Sequence, residues 1–338
     1  MRSAPLAFML ALAAAPTAAQ DAPAPAADPG MPAYADTRDL VTLPDGRALH
    51  FVCMGSGSPT VILNSPATMM ANAWSSIQPT FAEITRTCAW DRPGFGLSDG
   101  ADWAQTVERT TTDLEAGLDA MGIDGPIVLS GHSYGAYELL LLADRRPEQV
   151  AGMVLLDPSI PGQAAAVARL APAVAESAPE EDPLQTMLAN CAQAMRSGSR
   201  EERQACLTYP PMFPAELSTR LAQHANDNPV LFESVASFIA SFEASSELVI
   251  NPDRDYGDMP LIVLTAVDRP APDDATDEMR AQILAFDAEW DRAHDALAGL
   301  SSRGVNARVP GGDHNLHVSR RQVVIDAIEA VVREVRED

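Results

Sequence analysis

The sequence has 338 residues, which is long enough for one large domain or two small ones. Its formal net charge of -24 repels phosphate backbones and anionic lipid head groups, so nucleic acid is a poor candidate partner. Hydrophobic residues make up 46% of the chain, which is ordinary for a globular protein with a buried core.

The N-terminal region has the features of a secretory signal. Arg2 supplies a positive charge, and residues 5–15 form an apolar run that is too short to span a bilayer. Small residues then predict cleavage near Ala19. We expect a signal peptide over 1–19, a disordered Ala/Pro/Asp-rich linker over 20–36, and a periplasmic or secreted chain without stable membrane insertion. An uncleaved membrane anchor is the alternative.

Four cysteines follow the predicted signal, and export would place them in an oxidising compartment where three pairings are possible. Cys53 and Cys88 lie in two predicted strands that could be close in one sheet. Cys191 and Cys206 lie at the ends of a short polar segment between helical stretches. We therefore expect these two disulfides, with free thiols as the alternative. A metal site is disfavoured because there is no CxxC spacing.

Short predicted strands and helices alternate along the chain. Strands are predicted at 47–53, 60–64, 87–91, 126–130 and 150–156, with helices near 72–83, 106–121 and 134–146. After a helical stretch over 160–250, strands follow at 260–266 and 305–309, with helices at 277–300 and 320–336. This alternation predicts an α/β fold whose mostly parallel sheet is covered by helices on both faces.

A Gly-X-Ser-X-Gly motif is the strongest chemical signal in the sequence. Residues 131–135 read GHSYG, between the predicted strand 126–130 and the following helix. A serine in such a turn has a strained backbone, and its hydroxyl is exposed beside the unpaired N–H groups of a helix N-terminus. This context predicts Ser133 as a nucleophile, and the two glycines leave room for close packing of strand and helix.

A serine nucleophile needs a general base, and the chain has six histidines. Both His314 and His317 lie in the loop GGDHNLH after the last predicted strand, which is where α/β sheets place their sites. We favour His314 because it is nearer the strand end. His224 and His294 fall on predicted helices among polar neighbours, and we expect both on the surface.

The base in turn needs an acid that orients it and stabilises its protonated form. Asp157 ends the strand that follows the motif, and Asp268 follows the strand predicted at 260–266. Both would lie at the carboxyl edge of the sheet, so the residues alone leave the two open.

Two backbone N–H groups are expected to stabilise an oxyanion. One belongs to Tyr134, the residue after the nucleophile. The other should come from the loop after the strand 60–64, which reads Asn64-Ser65-Pro66-Ala67. Because proline has no N–H, we assign this second donor to Ala67.

Several stretches of the chain resemble the α/β-hydrolase superfamily, and in particular its bacterial esterase and haloperoxidase-like branch. They are GSGSPTVILN, TCAWDRPGFGLSD, GPIVLSGHSYGAYELLLLADRRPEQVAGMVLLDPS and GGDHNLHVSRRQVVIDAIEAVV, in the family's order. The resemblance implies an α/β-hydrolase fold, with Ser133 as nucleophile and His314 as base. It places the core at 37–158 and 259–338, and a helical cap at 159–258, inserted after the strand that follows the motif.

The chain departs from the family's common pattern in two places. Many relatives carry His-Gly in the oxyanion loop, where this chain has Ser65-Pro66. The usual acid position, counted from Ala266, falls on Arg269, one residue beyond Asp268. Some relatives take the acid from the strand after the motif, so we favour Asp157.

The expected activity is hydrolysis of a small-molecule, ester-like substrate without a cofactor or metal. Hydrolysis of C–C bonds, lactones or peptides is the alternative within the same fold, because the fold alone does not set the reaction. A non-catalytic binding protein on the same scaffold is the alternative from another class. The resemblance disfavours the epoxide hydrolases and dehalogenases of this fold, because those relatives carry Asp at the position that Ser133 occupies in this chain.

Overall fold

A computed structural model of the chain describes residues 28–177 and 182–338. Its centre is a sheet of eight strands in the order β1-β2-β4-β3-β5-β6-β7-β8. In chain order the strands are β1 (Leu40–Thr42), β2 (Ala48–Met54), β3 (Thr60–Asn64), β4 (Thr87–Trp90), β5 (Ile127–His132), β6 (Val150–Leu156), β7 (Leu261–Ala266) and β8 (Gly304–Val309). The sequence predicted every strand except the three-residue β1.

Six of the eight strands run parallel to one another. The pairs β4/β3, β3/β5, β5/β6, β6/β7 and β7/β8 are parallel, whereas β2 pairs antiparallel with both β1 and β4. The carboxyl ends of β3, β5, β6, β7 and β8 therefore meet at one edge of the sheet, where the loops carrying the predicted site residues begin.

Helices cover both faces of this sheet. In chain order those of the two core segments are α1 (Gln78–Ala82), α2 (Val107–Ala120) and α3 (Gly135–Arg145), and then α11 (Asp277–Ala298), α12 (Leu316–Ser319) and α13 (Arg321–Glu337). Successive side chains of a strand point to opposite faces. In β3, Val61 and Leu63 join the apolar layer that contains α13, and Ile62 joins the layer that contains α2 and α3.

The helix predicted over 72–83 is wrong in its extent. A 3₁₀ helix at Ala71–Trp74 and the short helix α1 at Gln78–Ala82 occupy this segment. Pro79 lies in the first turn of α1. Proline cannot donate a backbone hydrogen bond and clashes with the carbonyl of the preceding turn, so it starts a helix there and does not continue one.

In the described residues between β6 and β7, the chain forms seven helices. They are α4 (Gln163–Leu170), α5 (Pro172–Ser177), α6 (Pro183–Ser197), α7 (Arg200–Cys206), α8 (Ala215–Asp227), α9 (Leu231–Ala240) and α10 (Phe242–Leu248). Between the two strands, the part of the chain that the structure describes contains no strand. We call this segment the helical insertion, and it corresponds to the cap expected over 159–258.

Both expected disulfides are present in the structure. Cys53 and Cys88 are directly opposed on β2 and β4, with 4.1 Å between their Cα atoms. Cys191 and Cys206 join α6 to α7 within the helical insertion. One disulfide therefore fixes the antiparallel edge of the sheet, and the other fixes a helical hairpin.

The linker expected over 20–36 extends into the described residues, and its described part is folded. A 3₁₀ helix spans Met31–Ala35, and Tyr34 is buried in the apolar core. Its hydroxyl donates a hydrogen bond to Gln78 at the start of α1. The predicted signal peptide lies outside the described residues. Among the described helices, none combines the length and the apolar character needed to cross a bilayer.

A buried His50–Asp91 pair connects β2 to the loop after β4. His50 is 1% exposed, and its Nδ1 lies 2.7 Å from Asp91 Oδ2. Its Nε2 lies 2.8 Å from the carbonyl oxygen of Asp36. Burial is the largest single influence and disfavours the charge on this ring, but the hydrogen bond and charge of Asp91, with Asp36 and Asp39, together outweigh it and raise the pKa of His50.

The stabilisation from His50 should therefore depend on pH. Its pKa is raised in the folded chain above the unfolded value of about 6.5, so its contribution is complete below that pH and is lost as the pH rises through the folded-state pKa. Chemical denaturation of wild type and His50→Gln should give unfolding free energies whose difference shrinks as the pH is raised. A difference that stays constant across this range would contradict a charged His50.

Candidate active site

Ser133 occupies the turn between β5 and α3. Its backbone has a φ of 55°, in the left-handed region that non-glycine residues rarely adopt. The Ser133 N–H donates to Leu156 O at 3.1 Å, and the Ser133 carbonyl accepts from Ser159 N at 3.0 Å. The end of β6 therefore holds the strained turn in place, as the Gly-X-Ser-X-Gly context predicts.

The two glycines of the motif permit close approach of the surrounding backbone. A Cβ on Gly135 would lie 2.7 Å from Asn64 O, and one on Gly131 would lie 2.7 Å from Leu139 Cδ1. Both distances are shorter than any carbon side chain tolerates. The glycines thus bring α3 directly against β5 and against the loop after β3.

His314 and Asp157 are joined at the carboxyl edge of the sheet. His314 lies in the loop between β8 and α12, and its Nδ1 is 2.6 Å from Asp157 Oδ2. The other oxygen, Asp157 Oδ1, accepts from Ala266 N and from Trp290 Nε1, each at 3.1 Å. Burial is the largest single influence and raises the pKa of Asp157, but the hydrogen bond and charge of His314, with His294 and Trp290, together outweigh it and lower the pKa.

Asp268 is not brought to His314. Its side chain is exposed, and its backbone N–H donates to Gly312 O at 3.0 Å. The next residue, Arg269, pairs with Asp291 of α11 at 2.7 Å. Of the two acids that the sequence left open, the structure therefore joins Asp157 to the histidine and leaves Asp268 in a surface loop.

Two further histidines pack around His314. His132 is completely buried, and its Nε2 lies 2.7 Å from the carbonyl oxygen of His314. Burial, with the nearby His314 and His317, lowers the pKa of His132 well below its usual value. Burial also lowers the pKa of His317 to about 4. His317 packs between Trp74 and His132, so it serves as a neutral packing residue beside the His314 loop.

The two backbone groups predicted to bind an oxyanion lie close to the motif. Tyr134 is the N-cap residue of α3, where the first N–H groups of a helix lack partners within the helix. Ala67 is 6% exposed and belongs to the same apolar cluster as the Tyr134 side chain. The side chains of the two residues therefore share one apolar cluster, and donation by their N–H groups to an oxyanion stays a prediction.

A buried ion pair, which the sequence did not reveal, fixes the loop that carries Ala67. Arg92 Nε and Nη2 both lie 2.7 Å from the Glu138 carboxylate of α3. The same guanidinium donates to Ser65 O at 2.6 Å and to Pro66 O at 3.2 Å. Glu138 also accepts from Asn64 Nδ2 at 2.8 Å.

Through the Arg92 side chain, this arrangement connects α3 to the backbone of the loop that carries Ala67. Neither Arg92 nor Glu138 is more than 3% exposed. Breaking such a buried pair leaves one charge without a partner and costs about 3–5 kcal/mol. Since two of its hydrogen bonds end on the carbonyls of Ser65 and Pro66, the pair restrains the loop that carries Ala67.

The helical insertion contacts the site through Tyr134. The Tyr134 ring lies 4.6 Å from that of Phe238 in α9 and 5.7 Å from that of Phe242 in α10, between centroids. Its hydroxyl donates to Ser245 Oγ at 3.1 Å. The residue after the nucleophile is therefore an anchor between the core and the insertion.

A cleft of about 420 Å³ is bordered by His317, three residues beyond His314. It is bordered by the segment after Ala67, by the 3₁₀ helices of the N-terminal part, by the insertion and by the start of α13. Thioethers dominate its apolar lining, which includes Met31, Met69, Met70 and Met212. Methionine side chains adapt to differently shaped apolar groups.

The expectation that His294 lies on the surface is wrong. Its side chain is completely buried, and its Nδ1 lies 4.0 Å from Asp157 Oδ1. Phe286, Trp290 and His294 repeat every four residues along α11 and share one buried face. The four-residue spacing can be read from the sequence, but the charged residues between these positions led to the expectation of a surface helix.

Comparison with known proteins shows the family to which the chain belongs. A family model described as "Alpha/beta hydrolase family" matches residues 55–327. An uncharacterized Bacillus subtilis protein, YqjL, is 22% identical over 285 residues, which is 84% of this chain and 88% of that protein. The lipase LipV of Mycobacterium tuberculosis is 31% identical over 180 residues, which is 53% of this chain and 64% of the lipase.

Solved structures share the fold at low sequence identity. An esterase from Thermogutta terrifontis superposes with a TM-score of 0.54 at 18% identity. The match covers 88% of this chain and 98% of the esterase. The agreement concerns the fold alone.

Proposed function

We propose that this chain, which belongs to the α/β-hydrolase family, is a serine hydrolase that cleaves carboxylic esters through an acyl-enzyme on Ser133. The observation that carries the proposal is the 2.6 Å contact between His314 Nδ1 and the buried Asp157 carboxylate, beside a strained serine turn. A carboxylate on Nδ1 leaves Nε2 of His314 as the nitrogen that accepts the proton of the nucleophile.

In the first half of the reaction, Ser133 Oγ attacks the acyl carbon and its proton passes to His314. The carbonyl oxygen becomes an oxyanion that accepts hydrogen bonds from the backbone N–H groups of Tyr134 and Ala67. His314 then gives its proton to the leaving alkoxide. The C–O bond breaks, the alcohol departs, and the acyl group remains on Ser133 as an ester.

In the second half, water replaces the alcohol. His314 removes a proton from the water, and the hydroxide attacks the acyl-enzyme carbon through the same oxyanion geometry. Collapse of the tetrahedral species breaks the bond to Ser133 Oγ, which recovers its proton from His314. Asp157 stays ionised throughout and stabilises the transient imidazolium.

The methionine-lined cleft supports an ester that carries an apolar group. Its volume of about 420 Å³ falls within the range of small-molecule sites. The similarity to a lipase and the shared fold with an esterase point in the same direction. A helical cap over 159–258 would then enclose the substrate, since Tyr134 already ties that segment to the site.

We also propose that the enzyme acts in the periplasm or outside the cell. Disulfides persist in oxidising compartments, and the structure contains Cys53–Cys88 and Cys191–Cys206. The apolar run over 5–15 supplies the matching export signal in the sequence.

Hydrolysis of p-nitrophenyl esters tests the proposed activity. The mature chain should hydrolyse a series from acetate to decanoate, and Ser133→Ala should lower kcat by roughly 10⁴- to 10⁶-fold because the nucleophile is lost. Ser130→Ala is a matched control, since this buried serine precedes the motif on β5. Equal turnover by wild type and Ser133→Ala would contradict the serine mechanism.

The two candidate acids should differ sharply in the same assay. Asp157→Asn should lower kcat by about 10⁴-fold, because the amide cannot stabilise the imidazolium and favours the wrong tautomer of His314. Asp268→Asn should leave kcat within about twofold, because its side chain is exposed and His314 Nδ1 is paired with Asp157 instead. Circular dichroism checks that both variants are folded. A large loss in Asp268→Asn alone would reverse the assignment.

A further inference from the structure

His294 lies against the oxygen of Asp157 that His314 does not contact. Its Nδ1 is 4.0 Å from Asp157 Oδ1, whereas His314 binds Oδ2. The two ring nitrogens of His294 have other hydrogen-bond partners. Nε2 lies 2.8 Å from the carbonyl oxygen of Pro158, and Nδ1 lies 2.8 Å from Thr265 Oγ1.

The partners of His294 determine how many protons the ring carries. A carbonyl oxygen has no proton to give, so Nε2 must donate to Pro158 O. Thr265 has one hydroxyl proton, and its oxygen also lies 2.7 Å from Asn306 Oδ1. If the hydroxyl donates to Asn306, the contact with His294 is a hydrogen bond only when Nδ1 donates as well.

The orientation of the Asn306 amide decides between these possibilities. Its Nδ2 lies 2.7 Å from Asp295 Oδ1, and a carboxylate accepts but does not donate. Asp295 is held in turn by two contacts of 3.0 Å from Arg308. Exchanging the amide atoms would put an oxygen against that carboxylate, so Oδ1 of Asn306 faces Thr265 and accepts its proton.

The charges around His294 are mostly negative. Asp157, Asp291 and Asp295 face it, and Arg269 is the opposing cation. Burial is the largest influence and leaves the pKa of His294 below its ordinary value, although Asp157 and the Pro158 carbonyl act in the opposite direction. The hydrogen-bond chain favours the charged ring. If the ring were neutral, one of the three short contacts His294–Pro158, His294–Thr265 and Thr265–Asn306 would have no proton between its two atoms.

We propose that His294 is a positioning residue that carries protons on both ring nitrogens in the folded enzyme and shares the Asp157 carboxylate with His314. This second imidazolium keeps Asp157 ionised and holds the Asp157-Pro158 turn, where Asp157 has a φ of 38°. It also disfavours a proton on His314 in the resting enzyme. The effect on catalysis rests on the proposed function, whereas the proton count does not.

Nitrogen-15 NMR of the histidine side chains measures the proton count directly. The full chain, labelled at histidine, should show two N–H correlations on the His294 ring at neutral pH, besides those of His50, whose two nitrogens also face acceptors. Only the His294 pair should be absent from the spectrum of His294→Gln. A single ring N–H on His294 would overturn the proposal. This outcome is independent of which substrate the enzyme hydrolyses, or of whether it hydrolyses esters at all.

The pH dependence of kcat/KM measures the consequence for catalysis. In His294→Gln the acidic limb should move up by roughly half to one pH unit, because the positive charge beside the shared carboxylate is gone. Asn306→Ala should move the acidic limb in the same direction. Without Asn306 the Thr265 hydroxyl is free to donate to His294 Nδ1, which allows a neutral His294 ring. The position of Asn306 on β8 is remote from the motif.

His224→Gln is the matched control for these variants. His224 also contacts a backbone carbonyl, Ser98 O at 3.0 Å, but it lies in α8. The acidic limb of the His224→Gln profile should therefore match that of wild type. A merely structural role for His294 predicts lower kcat with an unmoved limb. An unmoved limb in both His294→Gln and Asn306→Ala would therefore contradict the proposed charge.

Discussion

The buried carboxylate of Asp157 is the constraint on which the rest of the site depends. It is 1% exposed, and an ionised carboxylate without partners is far too costly at such a position. Its donors come from three separate elements: the His314 loop after β8, the backbone of Ala266 at the end of β7, and Trp290 on α11. The need to satisfy one acid therefore sets the relative positions of two strands, a loop and the longest helix.

A second buried network acts on the other side of the nucleophile. Arg92 and Glu138 connect the loop after β4, the helix α3 and the carbonyls of the oxyanion loop. Each charge is fully paired, so the network is rigid and fixes a loop that lacks a regular secondary structure. The two networks contact elements that flank the Ser133 turn, and the oxyanion stabilisation that we propose requires such preorganisation.

Local chemistry explains what the sequence predicted well. Continuous apolar runs such as TVILN predict buried parallel strands, and β3 begins and ends where this run does. The motif around Ser133 predicts its own turn, because its glycines are required by close contacts with neighbouring backbone. The sequence therefore predicts features that depend on neighbouring residues or on a strong pattern. These are the strands, most helices, the motif and both cysteine pairs.

Long-range polar pairing explains what the sequence did not predict. Arg92 and Glu138 are 46 residues apart, and nothing in their local context distinguishes them from surface charges. His294 was expected at the surface because its neighbours on α11 are polar, although its spacing from Trp290 puts both on the buried face. The choice between Asp157 and Asp268 likewise depended on where the His314 loop folds back, which is a tertiary property.

Covalent labelling with a fluorophosphonate tests the central claim most directly, because the probe reacts with a serine only when its hydroxyl is activated and an oxyanion site is present. Intact-mass and peptide analysis of the labelled chain should show one adduct, located on Ser133, with labelling strongly slowed in His314→Ala. An adduct on another serine, or a folded chain that takes up no probe, would contradict the assignment of Ser133 as the nucleophile.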